Sequence, residues 1–498
     1  MTAETLSIEG GRLAVPAAGK SGVRAYKGIP YAAPPLGPMR WRPPQAVAAW
    51  DGVRSASAFG PNSLQGVVWG DIDPFVCGVS EDCLYLNVWT LAEPESSKRL
   101  PVMVWIHGGG FVVGSGSEPR YDGTRLAGRG IVIVTLNHRL NALGFLAHPE
   151  LTAESGRGAS GNYGMLDLVA ALGWVKRNIA AFGGDPDAVT IAGESAGSEA
   201  VSALMASPLA KGLFKRAIGE SGAMFATPSR APAPLEKAEA AGLAFMRKVG
   251  AKTLAELRAA PAKAILAAAP GVGFRPIVDG WFLPKRPAEI FASGEQSDVP
   301  LMAGWNKNEG FNFTLLQGEA AKRPYPALVR DIFGAHAEEA LRFYPGGTPE
   351  LDSASASALG GDLTIVHSTW SWIEAQKAHG TAETFRFRFD RAPLTPQGWF
   401  GERSSRDAGA FHAGEILYVF DNLDAFPWLI DESDRALAKL ASSYWVNFVN
   451  TGDPNGAALP EWPSFRQGSV MRLDTPAAAR PEEGRGRHIF LRESTAKP

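Results

Sequence analysis

Val189-Thr-Ile-Ala-Gly193-Glu194-Ser195-Ala196-Gly197 carries a run of short apolar residues into a Gly-x-Ser-x-Gly turn, and a helix-competent run from Ser198 to Ala206 follows. The order is strand, sharp turn, helix. A turn this tight holds its central residue in a strained backbone conformation, and the flanking glycines leave room for it. The Ser195 hydroxyl is thereby pushed out at the end of a strand, in front of the positive N-terminus of a helix. A chain with 56 glycines produces Gly-x-Ser-x-Gly by chance as well. The strand before this copy and the helix after it mark it as a place for chemistry.

The same alternation extends both ways from the turn. Upstream, Val102–Ile106 reads as a buried strand running straight into His107-Gly108-Gly109-Gly110-Phe111, and Ile131–Leu136 as a second one. Leu166, Val169, Leu172, Trp174 and Val175 have helical spacing. Downstream, Phe214–Glu220, Val299–Gly304 and Thr384–Asp390 read as strands, Ala231–Ala269 as helical, Phe311–His379 as mostly helical and Leu437–Asn450 as a helix. Leu6–Val15 reads as a hairpin around Gly10-Gly11, and two short strands, Val470–Leu473 and His488–Leu491, finish the chain. Strands alternating with helices predict an α/β protein whose central sheet is mostly parallel and covered on both faces. One domain over 1–498 is expected, with helical insertions at about 225–290 and 311–380 capping the C-terminal edge of the sheet.

Composition narrows the function classes. The 498 residues are 45% hydrophobic and 20% charged, as in an ordinary soluble globule, and the net charge of −2 implies no basic face and no nucleic-acid partner. Apolar runs such as Ile131–Leu136 are too short to cross a bilayer, so no membrane partner is expected. Met1–Gly10 has two glutamates and no basic or apolar leader pattern, which predicts a cytoplasmic protein. Cys77 and Cys83 make neither a disulfide framework nor a metal motif.

A serine hydroxyl is a poor nucleophile near neutral pH. It needs a base in contact, and the base needs an orienting carboxylate. After a strand-turn-helix nucleophile the acid is expected in a turn beyond a later strand. Glu309, in Gly304-Trp-Asn306-Lys-Asn308-Glu309-Gly310, fits that place; Asp279, in Ile277-Val-Asp-Gly280, competes with it. The transition state needs donors for its oxyanion. The glycines after His107 can turn backbone N–H groups inward, so the amides of Gly109, Gly110 and Ala196 are the candidate set.

Taken together, these motifs make the chain resemble the type B carboxylesterases, the bacterial branch of the cholinesterase-like α/β-hydrolases. The resemblance runs nearly end to end. It rests on Gly28-Ile-Pro-Tyr-Ala, Glu81-Asp-Cys-Leu-Tyr-Leu-Asn, His107-Gly-Gly-Gly-Phe, Phe182-Gly-Gly-Asp-Pro, Gly193-Glu-Ser-Ala-Gly, Asn308-Glu-Gly, Gly409-Ala-Phe-His412 and Trp462-Pro. It implies the α/β-hydrolase fold and hydrolysis of small-molecule carboxylic esters through an acyl-serine. No metal or organic cofactor is implied, and the sequence leaves the oligomeric state open, a monomer included. It implies Ser195 as nucleophile, Glu309 as acid, His412 as base and the three amides as oxyanion hole. Glu194 and Ser221 match supporting positions behind the site, and Arg40 with Glu81 matches a structural ion pair. The family often has a cysteine where Gly60-Pro-Asn-Ser63 carries serine, so that loop disulfide is expected to be absent. His138 stands where the family usually has tyrosine and reads as packing variation. An amidase or a thioesterase would use the same residues, and a non-catalytic binding protein on the same fold would typically have lost the nucleophile.

The base also follows by elimination among eight histidines. His107, His138 and His148 precede Ser195, against the chain order of this fold. His336 falls in a polar helical stretch, His367 and His379 in and just after a helical run, and His488 past the catalytic loops. His412 remains, with Gly409-Ala410 before it permitting a tight approach.

Overall fold

The computed structural model describes residues 4–67, 77–91, 99–225, 231–401 and 404–495. Trp69 and Phe75, whose pattern within the loop-like stretch Ser55–Val79 predicts exposure, lie outside the described residues.

The expected α/β-hydrolase architecture is present. Ten strands form one sheet. Across it they run Ala478–Pro481, Ser469–Leu473, Thr384–Phe389, Leu301–Asn306, Arg216–Glu220, Gly184–Glu194, Leu100–Ile106, Val132–Leu136, Tyr85–Thr90 and Arg24–Pro30. Neighbours from Ser469–Leu473 to Val132–Leu136 pair in parallel, and the outer pairs are antiparallel. Strand alternation divides the core in two. Val102, Val104 and Ile106 face one cluster with Trp174, Val201 and Leu204 from the Tyr163–Asn178 and Ala196–Ala206 helices. Met103 and Trp105 face the other, with Trp445 and Phe448 from Glu432–Thr451. A sheet covered on both faces reads as continuous apolar runs, which is why its central strands stand out in sequence.

Four helices between Leu235 and Ala292 occupy the first expected insertion. Helices from Gly310–Phe313 to His367–His379 occupy the second. The Leu6–Val15 hairpin forms as Thr5–Ile8 paired with Gly11–Ala14. One expectation is corrected: His488–Leu491 is not a strand but lies within the helix Arg485–Thr495, and the last strand is Ala478–Pro481. A short apolar run has no period of its own. His488 and Leu491, three apart and both buried, share a helical face; Phe490 and Leu491 pack on Tyr325, Val329 and Phe333.

Candidate active site

Five segments that carry the site leave the C-terminal ends of neighbouring parallel strands. Gly184–Glu194 delivers Ser195, Leu100–Ile106 delivers the glycine loop, and Arg216–Glu220 delivers Ser221. Leu301–Asn306 leads to Glu309, and Thr384–Phe389 leads by a long loop to His412.

The turn at Ser195 is strained as its sequence requires. Ser195 has φ 54° and ψ −121°, outside the ordinary regions for a side-chain-bearing residue. The flanking glycines are obligatory on steric grounds. A Cβ on Gly193 would stand 2.6 Å from the backbone of Gly197, and one on Gly197 would overlap the Ile106 carbonyl. Ser195 N–H donates to Glu220 O at 2.8 Å, pinning the nucleophile to the next strand.

His412 and Glu309 come together on that hydroxyl. His412 Nε2 lies 2.9 Å from Ser195 Oγ, and His412 Nδ1 lies 2.6 Å from Glu309 Oε2. Glu309 Oε1 accepts from the Asn306 N–H at 2.8 Å, which fixes the carboxylate's other edge. The two loops are laced: Asn308 N–H donates to Ala410 O at 2.9 Å, Ala410 N–H to Asn308 Oδ1 at 3.0 Å, and Asn306 Nδ2 to Phe411 O at 2.7 Å. Gly409, at φ 57°, leaves no room for a Cβ against the Asn308 amide, so it admits that approach. Asp279 is elsewhere in role. Its Oδ1 accepts N–H bonds from Trp281 at 3.1 Å and Leu283 at 2.9 Å, closing its own Asp-Gly turn.

Gly109 and Gly110 adopt φ 101° and 64°, and a Cβ on Gly109 would overlap the Val113 carbonyl. Among the described residues no protein acceptor takes the amides of Gly109, Gly110 or Ala196, the last being the first residue of its helix. Three N–H groups with no acceptor among the described residues, beside a half-buried serine, can receive an oxyanion. The loop is braced by His107, whose Nδ1 lies 2.8 Å from Gly108 O and whose ring stacks on His138 at 4.7 Å. Burial holds His107 neutral, with its pKa lowered to about 4; burial and then His107 itself lower that of His138.

A sequence profile of the carboxylesterase family matches residues 2–487. The chain belongs to the carboxylesterase family. It is 37% identical over 467 residues to a fumonisin B1 esterase of Sphingopyxis macrogoltabida, covering 90% of this chain and 83% of that one. It is 36% identical over 473 residues to a para-nitrobenzyl esterase of Bacillus subtilis, covering 90% of each. Among solved structures, a PNB esterase superposes with a TM-score of 0.84 at 33% identity over the whole of both chains. A Geobacillus stearothermophilus carboxylesterase gives 0.82 at 36% identity, over 98% of this chain and 99% of that one. The activity of this esterase is hydrolysis of carboxylic esters of small molecules.

Behind Ser195 and His412 this carboxylesterase buries more acid than the sequence reading named. Glu194 was expected there, and its Oε1 lies 3.2 Å from His412 Nε2. Glu220, paired in register with Glu194, and Glu415 were missed. Trp445 Nε1 donates to Glu220 at 2.7 Å, and Asn306 Nδ2 donates to Glu415. Among the described residues no Lys or Arg bonds to any of the three. Burial raises the pKa of Glu194 and Glu220 well above the carboxylate range; burial, then the charge of Glu309, raises Glu415 to about 7. The available signal was proximity: Glu220 precedes the expected Ser221, and Glu415 follows His412 by three residues. Ser221, at φ 57°, is fully buried and its Oγ meets no partner among the described residues.

Arg40 pairs with Glu81 through two bonds of 2.6 and 2.7 Å. Cys77 and Cys83 are free thiols. Among the described residues, no group of acidic, His and Cys side chains is arranged to hold a metal, and no helix is long and apolar enough to cross a membrane.

Proposed function

We propose that Ser195, His412 and Glu309 form the catalytic triad of this esterase, with the amides of Gly109, Gly110 and Ala196 as its oxyanion hole. The observation that carries the reading is the unbroken hydrogen-bonded line from Ser195 Oγ through the imidazole to Glu309. Neutral His412 accepts the Ser195 proton at Nε2 as Oγ attacks the ester carbonyl carbon. Glu309 at Nδ1 fixes the tautomer and stabilises the imidazolium. The carbonyl oxygen takes on negative charge against the three amides. Collapse of the tetrahedral adduct breaks the ester C–O bond, and His412 returns the proton to the departing alkoxide. Water, deprotonated by the same nitrogen, then releases the acid and regenerates Ser195. Glu194 and Ser221 support the site from behind.

The organisation proposed is one catalytic domain over 1–498, with 225–290 and 311–380 as insertions that shape the substrate entrance. The location proposed is cytoplasmic, which the two free thiols favour and cell fractionation tests. Ser195→Ala is expected to lose on the order of 10⁴–10⁶ in kcat while melting like the parent. Labelling by a fluorophosphonate should map to Ser195 alone. Substantial turnover by a folded Ser195→Ala protein would overturn the assignment.

A further inference from the structure

Arg275 touches both segments that carry the proposed oxyanion amides. Its Nη2 donates to the carboxylate of Glu199, which stands one helical turn beyond Ser195 and whose own N–H donates to Ser195 O at 2.9 Å. Its guanidinium lies over the ring of Phe111, 5.4 Å from the centroid, and Phe111 directly follows Gly110. One contact belongs to the nucleophile's helix, the other to the glycine loop. The backbone on either side is fixed: Phe274 packs edge-on against Phe245 at 4.9 Å, and Ile277 N–H donates to Asn162 Oδ1 at 2.9 Å.

A purely structural arginine in this protein looks different. Arg139 spreads its guanidinium over both oxygens of Asp167 and the carbonyls of Arg42 and Tyr163. Arg40 uses its guanidinium nitrogens on Glu81 and on the carbonyls of Arg258 and Ala260. Their side chains are 4% and 8% exposed. Arg275 commits one nitrogen, to Glu199, and its side chain is 27% exposed, whereas Glu199 is 6% exposed. Its Nε and Nη1 have no acceptor among the described residues. The buried carboxylate holds the cation in place, the aromatic face orients it, and the remaining donors of a planar fork stay open.

We propose that Arg275 is a specificity-determining residue that binds a carboxylate carried by the ester substrate, so that the preferred substrates are esters bearing a free acid group. This rests on the triad reading above and names the substrate class for it. A carboxylate matches the open edge of a guanidinium in shape and charge, and such charge-assisted bonds are about twice as strong as neutral ones. An acid group in the acyl chain and one in the alcohol share this chemistry, and two substrate pairs separate them.

The first pair is mono-4-nitrophenyl adipate against 4-nitrophenyl hexanoate; the second is 4-acetoxybenzoate against phenyl acetate. Steady-state kinetics compare the parent with Arg275→Gln and Arg275→Lys. The double variant Glu199→Gln/Arg275→Gln is included because it leaves no unpaired buried charge should the single change fail to fold. Arg275→Gln, or the double variant, is expected to lose about tenfold or more in kcat/KM on the acidic member of at least one pair, mostly through KM. Both neutral esters should stay within about threefold, and Arg275→Lys should recover part of the loss. Equal losses on acidic and neutral members, or none on either acidic ester, would overturn the anionic subsite and leave the triad reading standing. A parent protein inactive on all four esters would instead overturn the triad reading.

Discussion

His412 is pulled in two directions. Burial disfavours its cation, but the carboxylates of Glu194, Glu309 and Glu415 outweigh that and raise its pKa to about 9. The base works only when neutral, so kcat/KM should rise with pH through one ionisation whose midpoint lies above the usual value of about 6.5. Glu194→Gln removes one of the raising charges, so its midpoint should fall below the parent's. It should still exceed about 6.5, because the 2.6 Å contact with Glu309 remains. A pH–rate profile of the two proteins checks both statements. At the same scale, Glu309→Gln should cost on the order of 10³–10⁴ in kcat with little loss of stability. Asp279→Asn should instead lower the melting temperature, since its carboxylate holds two N–H groups of a buried turn. If Asp279→Asn lost more kcat than Glu309→Gln, the choice between the two acids would be reversed.

Turn and loop geometry governs the next scale. The strand-to-helix turn is closed against Ile106, and the glycine loop against Val113, in both cases backbone on backbone. Backbone atoms have no rotamer by which to yield. Gly197→Ala should therefore displace the whole elbow, destabilising the protein by about 1–3 kcal/mol and impairing turnover together. Gly109→Ala should misaim the donor amides and lower kcat on the order of 10²-fold, the scale of one lost oxyanion donor. His107→Ala should be milder than Gly109→Ala, because the imidazole touches the loop through the Gly108 carbonyl alone among its hydrogen bonds. Thermal melts alongside kcat separate these outcomes, and an equal loss from His107→Ala would give the ring a larger part than bracing.

For the molecule as a whole, the ionisation that limits activity also bears on stability, with the opposite sign. A histidine whose folded pKa is raised contributes stability that is fully present below its unfolded pKa of about 6.5 and is lost as pH rises through the folded value. With His412 near 9, that loss falls between about 6.5 and 9, the range over which the base becomes competent. Melting temperatures of Ser195→Ala across this range should decline more steeply than those of Ser195→Ala/His412→Gln. Parallel curves would show that His412 does not carry the raised pKa.

Much of this was written in the chain itself. The elbow, the glycine loop and the central strands are local: a Cβ excluded by neighbouring backbone, or a strand apolar on both faces, leaves a short and legible mark. Residue order along parallel strands then placed Ser195, Glu309 and His412 at one edge of the sheet, because each follows the C-terminal end of a strand. Three things only tertiary packing decided. The His488–Leu491 run became a helix because Tyr325 and Val329, distant in sequence, cover one side of it. That Glu309, which the family motif already implied, and not Asp279 stands within 2.6 Å of an imidazole about a hundred residues away depended on the laced loops. Glu220 and Glu415 show no acid pattern in the sequence; their raised pKa values arise from burial beside other carboxylates. Burial and charge proximity are properties of the folded arrangement, and no short segment contains them.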